Sequence, residues 1–404
     1  MNELMNVTSF QSREERLATY EWLRRQPRLY ETSLNGEPTV IATRFADVDG
    51  LLKNPLALVQ QEPGRVPAHI GTGPASMFYR LSLPHMDRPE HGVYRRIASA
   101  AFNPKTVAKM ADWVTDLIES KLDALGEQDE IDAVRELAVP IPTEVACRLL
   151  HIPLQEGARI LEPVHDLNAI MGQAQMTPET LAKADAAAQF YFDYFTHHVD
   201  TVEGLPDDDM LSIMIRAQRN GEWSKVAMAT TLIGLFMASY HTTMTGIGNA
   251  IHALATHPAQ KALLVADPHL NEVAWEELLR FDSPVHFVHR YPSAPIRVGE
   301  TDITPGTRIL LGLAAANGDP AQFQHPERYD LNRGMTRHLA FAVGAHFCLG
   351  AQLSRLEGKV LLQGLVARFP SLCLADAPIH RVHDLAFPHI TSMRINLSGR
   401  SGPH

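Results

Sequence analysis

Polar and apolar positions alternate along the chain in blocks that predict helices first and short strands second. "SREERLATYEWLRRQ" opens with Ser12 and Glu15 in capping-box spacing, which predicts a helix start. "RLYETSLNGEPTVIATR" sets Asn35-Gly36 between two β-prone runs and predicts a hairpin, so a small sheet is expected over about residues 28–60. Residues 62–85 are rich in Gly and Pro without a steady period and read as a long irregular loop, a kind of segment that usually carries a function. From about Pro89 to Arg216 the period is helical, broken at "AFNPKT", "HIPLQ", "QMTPET" and "EGLPDDD". The turn "NGEWS" then offers Ser224 as an N-cap.

The run after Ser224 is unusual, because Val226 to Gln260 contains no Asp, Glu, Lys or Arg. A charge-free run of that length is the usual mark of a membrane span. It also carries Thr230, Thr231, Tyr240, His241, Thr242 and Asn249, however, a polar load that is costly in lipid. It therefore predicts a helix buried on all sides of a large protein, about 45 Å long for about 30 residues. Beyond it come a helix at "EVAWEELLRFD", strands around "PIRVG" and "RILLGLA", an irregular stretch over 317–340, a last helix from near Cys348 and a strand-like tail. The fold class expected is mainly α with small β-sheets, in a single domain over 1–404 with a helix-rich body from about residue 87.

Composition narrows the function. A net charge of -10 argues against nucleic acid as a partner, since phosphate binding needs a basic excess. Three scattered cysteines with no CxxC pair exclude a disulfide framework and favour a reducing cytosol. The first residues lack the apolar stretch of a signal peptide or anchor, so a cytoplasmic protein without membrane attachment is expected.

One cysteine stands out. In "FAVGAHFCLG", Cys348 lies among small residues at the start of the last helix, where Gly344 and Gly350 permit close approach of backbone to a ligand. Partial positive charge and free N–H groups at a helix N-terminus favour a thiolate, so the thiol pKa is expected to fall. Such a thiolate can bind a metal axially. A buried inert thiol is the commoner fate of a lone cysteine, and a zinc site is a weaker rival without a second cysteine or HxxH nearby.

"MDRPEHGVYRR", "ASYHTT", "EELLR", "HPERYDLNR" and "FAVGAHFCLG" together resemble, in order and spacing, the motifs of the cytochrome P450 family of haem-thiolate monooxygenases, in its bacterial form. That resemblance implies the family's fold, with a long central helix over the haem, and haem b (iron protoporphyrin IX) as cofactor. It implies Cys348 as the iron ligand, Glu277 and Arg280 as a buried core pair with Arg328 a candidate third member, and His91, Arg95, Arg290 and His346 as contacts to the haem propionates. One helical turn does place Glu277 and Arg280 on one face, and burial of such a pair requires full hydrogen bonding.

The resemblance also places Thr242, 35 residues before Glu277, as the proton donor to bound dioxygen. Its hydroxyl can compete for the carbonyl of Ala238 and loosen the helix there. Three positions depart from the family pattern: Ser239 and Ala342 stand where glycine is usual, and His241 where an acid is usual. Histidine can pass protons near neutral pH or serve in recognition instead. The activity implied is insertion of one oxygen atom from O2 into a small organic substrate, by hydroxylation, epoxidation or O-demethylation. Electrons are expected from a separate soluble ferredoxin and an NAD(P)H-dependent ferredoxin reductase, docking near Cys348, with the enzyme a monomer. Alternatives prompted by His241 are peroxide-driven, nitric-oxide-dependent or coupling chemistry, and, from another class, a haem-thiolate sensor. The expected substrate pocket includes Leu235, Tyr240, His286 and Phe287, with the 62–85 loop, the region around Leu167–Gln175 and the turn around Pro388–Thr391. An aromatic or functionalised substrate would suit that lining.

Overall fold

The computed structural model describes residues 12–34, 36–62, 64–126, 128–172 and 176–398. Its centre is the helix Lys225–Thr256, 32 residues long, started by Ser224, whose hydroxyl accepts the Ala227 N–H. Twenty-two of those residues are buried, and other helices surround them: Pro140–Leu149, Pro178–Thr201, Asn271–Phe281 and Ala351–Arg368. The helix stops at His257-Pro258, where a ring without an N–H ends the ladder. The charge-free run is thus a core helix, and among the described residues no helix is long and apolar enough to cross a membrane.

Beside this helical body lies a five-stranded sheet in the order Tyr30–Leu34, Glu37–Ala42, Arg308–Gly312, Phe287–Pro292, Ala57–Leu58. The first two strands form the expected hairpin, with Leu34 opposite Glu37; Asn35 itself lies outside the described residues. Glu37–Ala42 then pairs parallel with Arg308–Gly312, a contact across about 270 positions. Ser12 caps the first helix, Arg13–Arg25, through the Glu15 N–H at 3.2 Å.

Two expectations need correction. Residues 62–85 are not one irregular loop: they contain the helix Pro74–Leu81, with Pro74 in its first turn and Phe78 and Tyr79 buried. Flanking Gly and Pro punctuate so short a helix that its period is hidden. Within the stretch expected to be helical, Glu130–Asp132 forms a strand instead. Its partner, Arg394–Asn396, is far away in sequence, and nothing local announces a three-residue strand made by that pairing.

Candidate active site

The cysteine loop is shaped by two residues with positive φ, Ala342 (52°) and Gly344 (79°). Gly344 is required by its neighbour rather than by a ligand, since a Cβ there would lie 2.8 Å from the Leu52 carbonyl oxygen. The Cys348 N–H donates to the Phe341 carbonyl at 3.0 Å, closing the loop, and the side chain faces a cavity of about 300 Å³. Backbone N–H groups of Gly350 and Ala351, at the start of the last helix, point at the sulfur as expected. The thiol pKa nevertheless rises, because burial outweighs those donors and the Arg95 and Arg355 charges. An ion bound to the sulfur is what would hold it as thiolate.

The central helix forms another part of the wall of the same cavity. Leu235, Ala238, Ser239 and Thr242 line it, as their spacing on one helical face requires. The Thr242 hydroxyl donates to the Ala238 carbonyl at 2.7 Å, while the helix stays α-helical through Lys225–Thr256. His241, about 100° further round, points away from the cavity. Its ring lies edge-on to His389 at 4.9 Å, to Phe387 at 5.5 Å and to His165 at 6.1 Å. Burial first, then His389 and His165, push its pKa down to about 3, so the ring is neutral at neutral pH.

The rest of the expected pocket divides. Leu83 and Pro84 of the 62–85 segment and Val285 and Val288 contribute walls, but Tyr240, His286 and Phe287 do not line the cavity. His286 is buried and bonded to the Tyr20 hydroxyl at 2.5 Å, and Phe287 packs edge-on against Tyr20. Tyr240 lies two residues from Thr242 on a different, buried face of the helix. Residues 388–391 pack toward His241 through His389, residues 167–172 add no wall, and residues 173–175 lie outside the described residues.

Two arginines and two histidines gather beside the cavity. His91, Arg95 and His346 line it, with the two imidazoles 4.3 Å apart. Arg290 is buried behind them; burial lowers its pKa to about 10, and Asp87 opposes that shift. Burial lowers the pKa of His91 to about 4, helped by Arg95, Arg88 and Arg290, and that of His346 to about 2, helped first by Arg290, so both imidazoles are neutral at neutral pH. His91 Nε2 is buried with no partner among the described residues. Cations and an orphaned nitrogen around one opening are what a carboxylate-bearing ligand would satisfy.

The core pair is fully buried. Arg280 meets both Glu277 oxygens at 2.7 and 2.8 Å and donates to the carbonyls of Asn317, Pro326 and Arg328. The third side chain is Arg333, at 3.1 Å from Glu277, and not Arg328, whose exposed guanidinium faces Glu327. The adjacent Glu276 holds the cysteine segment as well, binding Arg355 and the buried His338. Burial alone would raise the Glu276 pKa, but these partners bring it down to about 2.

The family profile described as Cytochrome P450 matches residues 268–385, the stretch that carries both Glu277 and Cys348. A vitamin D(3) 25-hydroxylase of Pseudonocardia autotrophica is 32% identical over 88% of this chain and 87% of its own length. The chain is a cytochrome P450. Cytochrome P450 107B1 of Saccharopolyspora erythraea is 31% identical, with 90% of each chain covered. The structure of myxobacterial cytochrome P450 CYP267B1 in complex with myristic acid superposes with a TM-score of 0.88 at 25% identity, covering 99% of each chain. The protein is therefore a P450 monooxygenase of bacterial type with a haem-thiolate cofactor, and its cavity fits that group: Cys348 in the wall, the Arg95 guanidinium beside it and an unpartnered His91 nitrogen.

A titratable cavity residue escaped the sequence reading. Glu357, in the last helix, lines the cavity, is completely buried, and has its pKa raised by that burial to about 8. The Thr243 hydroxyl is its contact at 3.5 Å, and Oε1 has no partner among the described residues. In "GAQLSRLEGKV", Glu357 sits between Arg355 and Lys359 and looks like part of a solvated face. Arg333 was hidden for a different reason, since its loop has no period to fix which arginine turns inward.

Proposed function

We propose that this P450 binds haem b with Cys348 as the iron ligand and inserts one oxygen atom from O2 into a small apolar substrate, by hydroxylation, epoxidation or O-demethylation. The observation that carries the reading is the placement of Thr242 and Cys348 in the walls of one cavity. Bound there, the haem-thiolate group supplies reductive activation of O2. His91, Arg95, Arg290 and His346 hold its carboxylates. Thr242 presents a hydroxyl that gives up its Ala238 bond to donate into the cavity, and Glu357 keeps a proton available at neutral pH.

Leu235, Ala238, Val285 and Val288 around the cavity favour an apolar substrate, and the case for an aromatic or functionalised one falls with Tyr240, His286 and Phe287. A relative named for vitamin D(3) and a neighbour crystallised with myristic acid agree with that choice. Electrons come from a separate ferredoxin and NAD(P)H-dependent reductase, with the enzyme a cytoplasmic monomer. Because His241 is turned from the cavity and neutral, we assign proton delivery to Thr242 rather than to His241, and its replacement of an acid lends no weight to altered oxygen chemistry.

The test compares product formed with ferredoxin, reductase and NADH against product formed with peroxide alone, after a screen of apolar compounds for spectral shifts of the haem band. Turnover with the electron-transfer chain is expected. Efficient turnover only with peroxide would overturn the reading.

A further inference from the structure

We propose that His165, His241 and His389 form a binding site for a divalent transition-metal ion of the zinc class, separate from the haem cavity. One ring nitrogen of each lies within 4.8 Å of the other two. The three come from three elements: the helix Val164–Gly172, the central helix, and the strand His389–Ser392. No local sequence pattern joins them, so the cluster exists only in the fold.

The donors are prepared for a metal. His389 Nδ1 donates to the Phe387 carbonyl at 3.0 Å, and since a carbonyl can only accept, Nε2 is left with its lone pair. His241 is 4% exposed, and its Nδ1 has no hydrogen-bond partner among the described residues. An unsatisfied nitrogen so deeply buried is costly, and a ligand in the cluster would relieve it. Burial lowers the pKa of all three rings, which are the neutral imidazoles a metal needs. Asp166 acts on His165 and Asp384 on His389, so negative charge stands close enough to favour a cation.

Ligand type selects the ion. Three imidazoles without thiolate suit Zn2+, Cu2+ or Ni2+, whereas Mg2+ and Ca2+ require oxygen donors. Three nitrogens at about 2.0–2.1 Å from a tetrahedral zinc are about 3.3 Å apart, so the cluster must contract by roughly 1 to 1.5 Å. His165 is exposed and free to make that movement, and its solvent side leaves the fourth position to water. An ion there would tie the helix Val164–Gly172 to the central helix one residue from Thr242.

The experiment uses the full-length haem-loaded protein without a histidine tag, treated with chelator and titrated with Co2+ and then Zn2+. One equivalent of Co2+ with visible d–d absorption, displaced by Zn2+, is expected. H165A and H389A should each weaken Zn2+ binding by at least about tenfold, with the CO-difference spectrum of the reduced haem unchanged. Absence of Zn2+ binding at micromolar concentration, or equal binding by the H165A/H389A double variant, overturns the proposal. Neither outcome bears on oxygen insertion, which is measured separately.

Discussion

Gly358 lies beneath the indole of Trp275, so closely that a Cβ at that position would sit 1.9 Å from the ring. Gly246 of the central helix approaches the same ring from another side, at 3.2 Å. Trp275 therefore locks the helix Asn271–Phe281, the last helix and the central helix together, and it also forms part of the cavity wall. Gly358→Ala should force that ring or its helix to move, costing about 3 kcal/mol, the upper end for an overpacked core. Thermal unfolding checks it, with loss of haem retention as a companion readout.

Arg333 and Arg328 separate on the same measurement. Removing Arg333 strips a buried carboxylate of one of its two cationic partners, so Arg333→Met should cost about 3 kcal/mol or more. Arg328→Met touches only an exposed ion pair and should stay within about 0.5 kcal/mol of wild type. Equal effects from the two would return Arg328 to the core.

Residues whose neighbours are close in sequence were legible: Ser12 and Ser224 as caps, the hairpin of Tyr30–Leu34 with Glu37–Ala42, the Glu277–Arg280 turn and the bond from the Thr242 hydroxyl to the Ala238 carbonyl. Residues whose roles depend on distant partners were not. Arg333 reaches Glu277 across 56 positions, and Glu357 reaches Thr243 across 114. Gly344 is set by the Leu52 carbonyl, which no loop composition reveals. The Cys348 thiol pKa departs from expectation for the same reason, because a helix N-terminus can be read from order along the chain while the burial that opposes it cannot.

Thr242 and His241 are adjacent, yet only one faces the cavity. Thr242→Ala should lower product formed per NADH by at least about tenfold, with the dissociation constant for substrate, read from the haem band, nearly unchanged. His241→Ala should leave that ratio close to wild type. A large loss of coupling in the histidine variant would restore it to the proton path.

Ala342 holds a φ of 52°, where its methyl is unwelcome. Ala342→Gly removes that strain but gives the unfolded chain more freedom, so the net gain should be about 0.5–1 kcal/mol. A rise in Tm with an unchanged CO-difference spectrum is the expected result.

Glu357 makes stability depend on pH in a window of its own. Its pKa is raised in the folded protein from 4.5 to about 8 by burial, so between those values the folded chain keeps a proton that the unfolded chain loses. Its contribution is complete below pH 4.5 and is lost as the pH rises through about 8. Buried histidines act in the opposite sense: His241 and His286, lowered to about 3, stay neutral while the unfolded chain protonates below 6.5. Their effect fades above pH 6.5, which leaves Glu357 to act between there and pH 8. Over that interval, at about 1.4 kcal/mol per unit, wild type should lose about 2 kcal/mol. Glu357→Gln keeps the shape and the Thr243 contact without the titrating proton, so its Tm should stay nearly level from about pH 6.5 to about 8 while that of wild type falls. Parallel profiles for the two proteins would place the proton on another group.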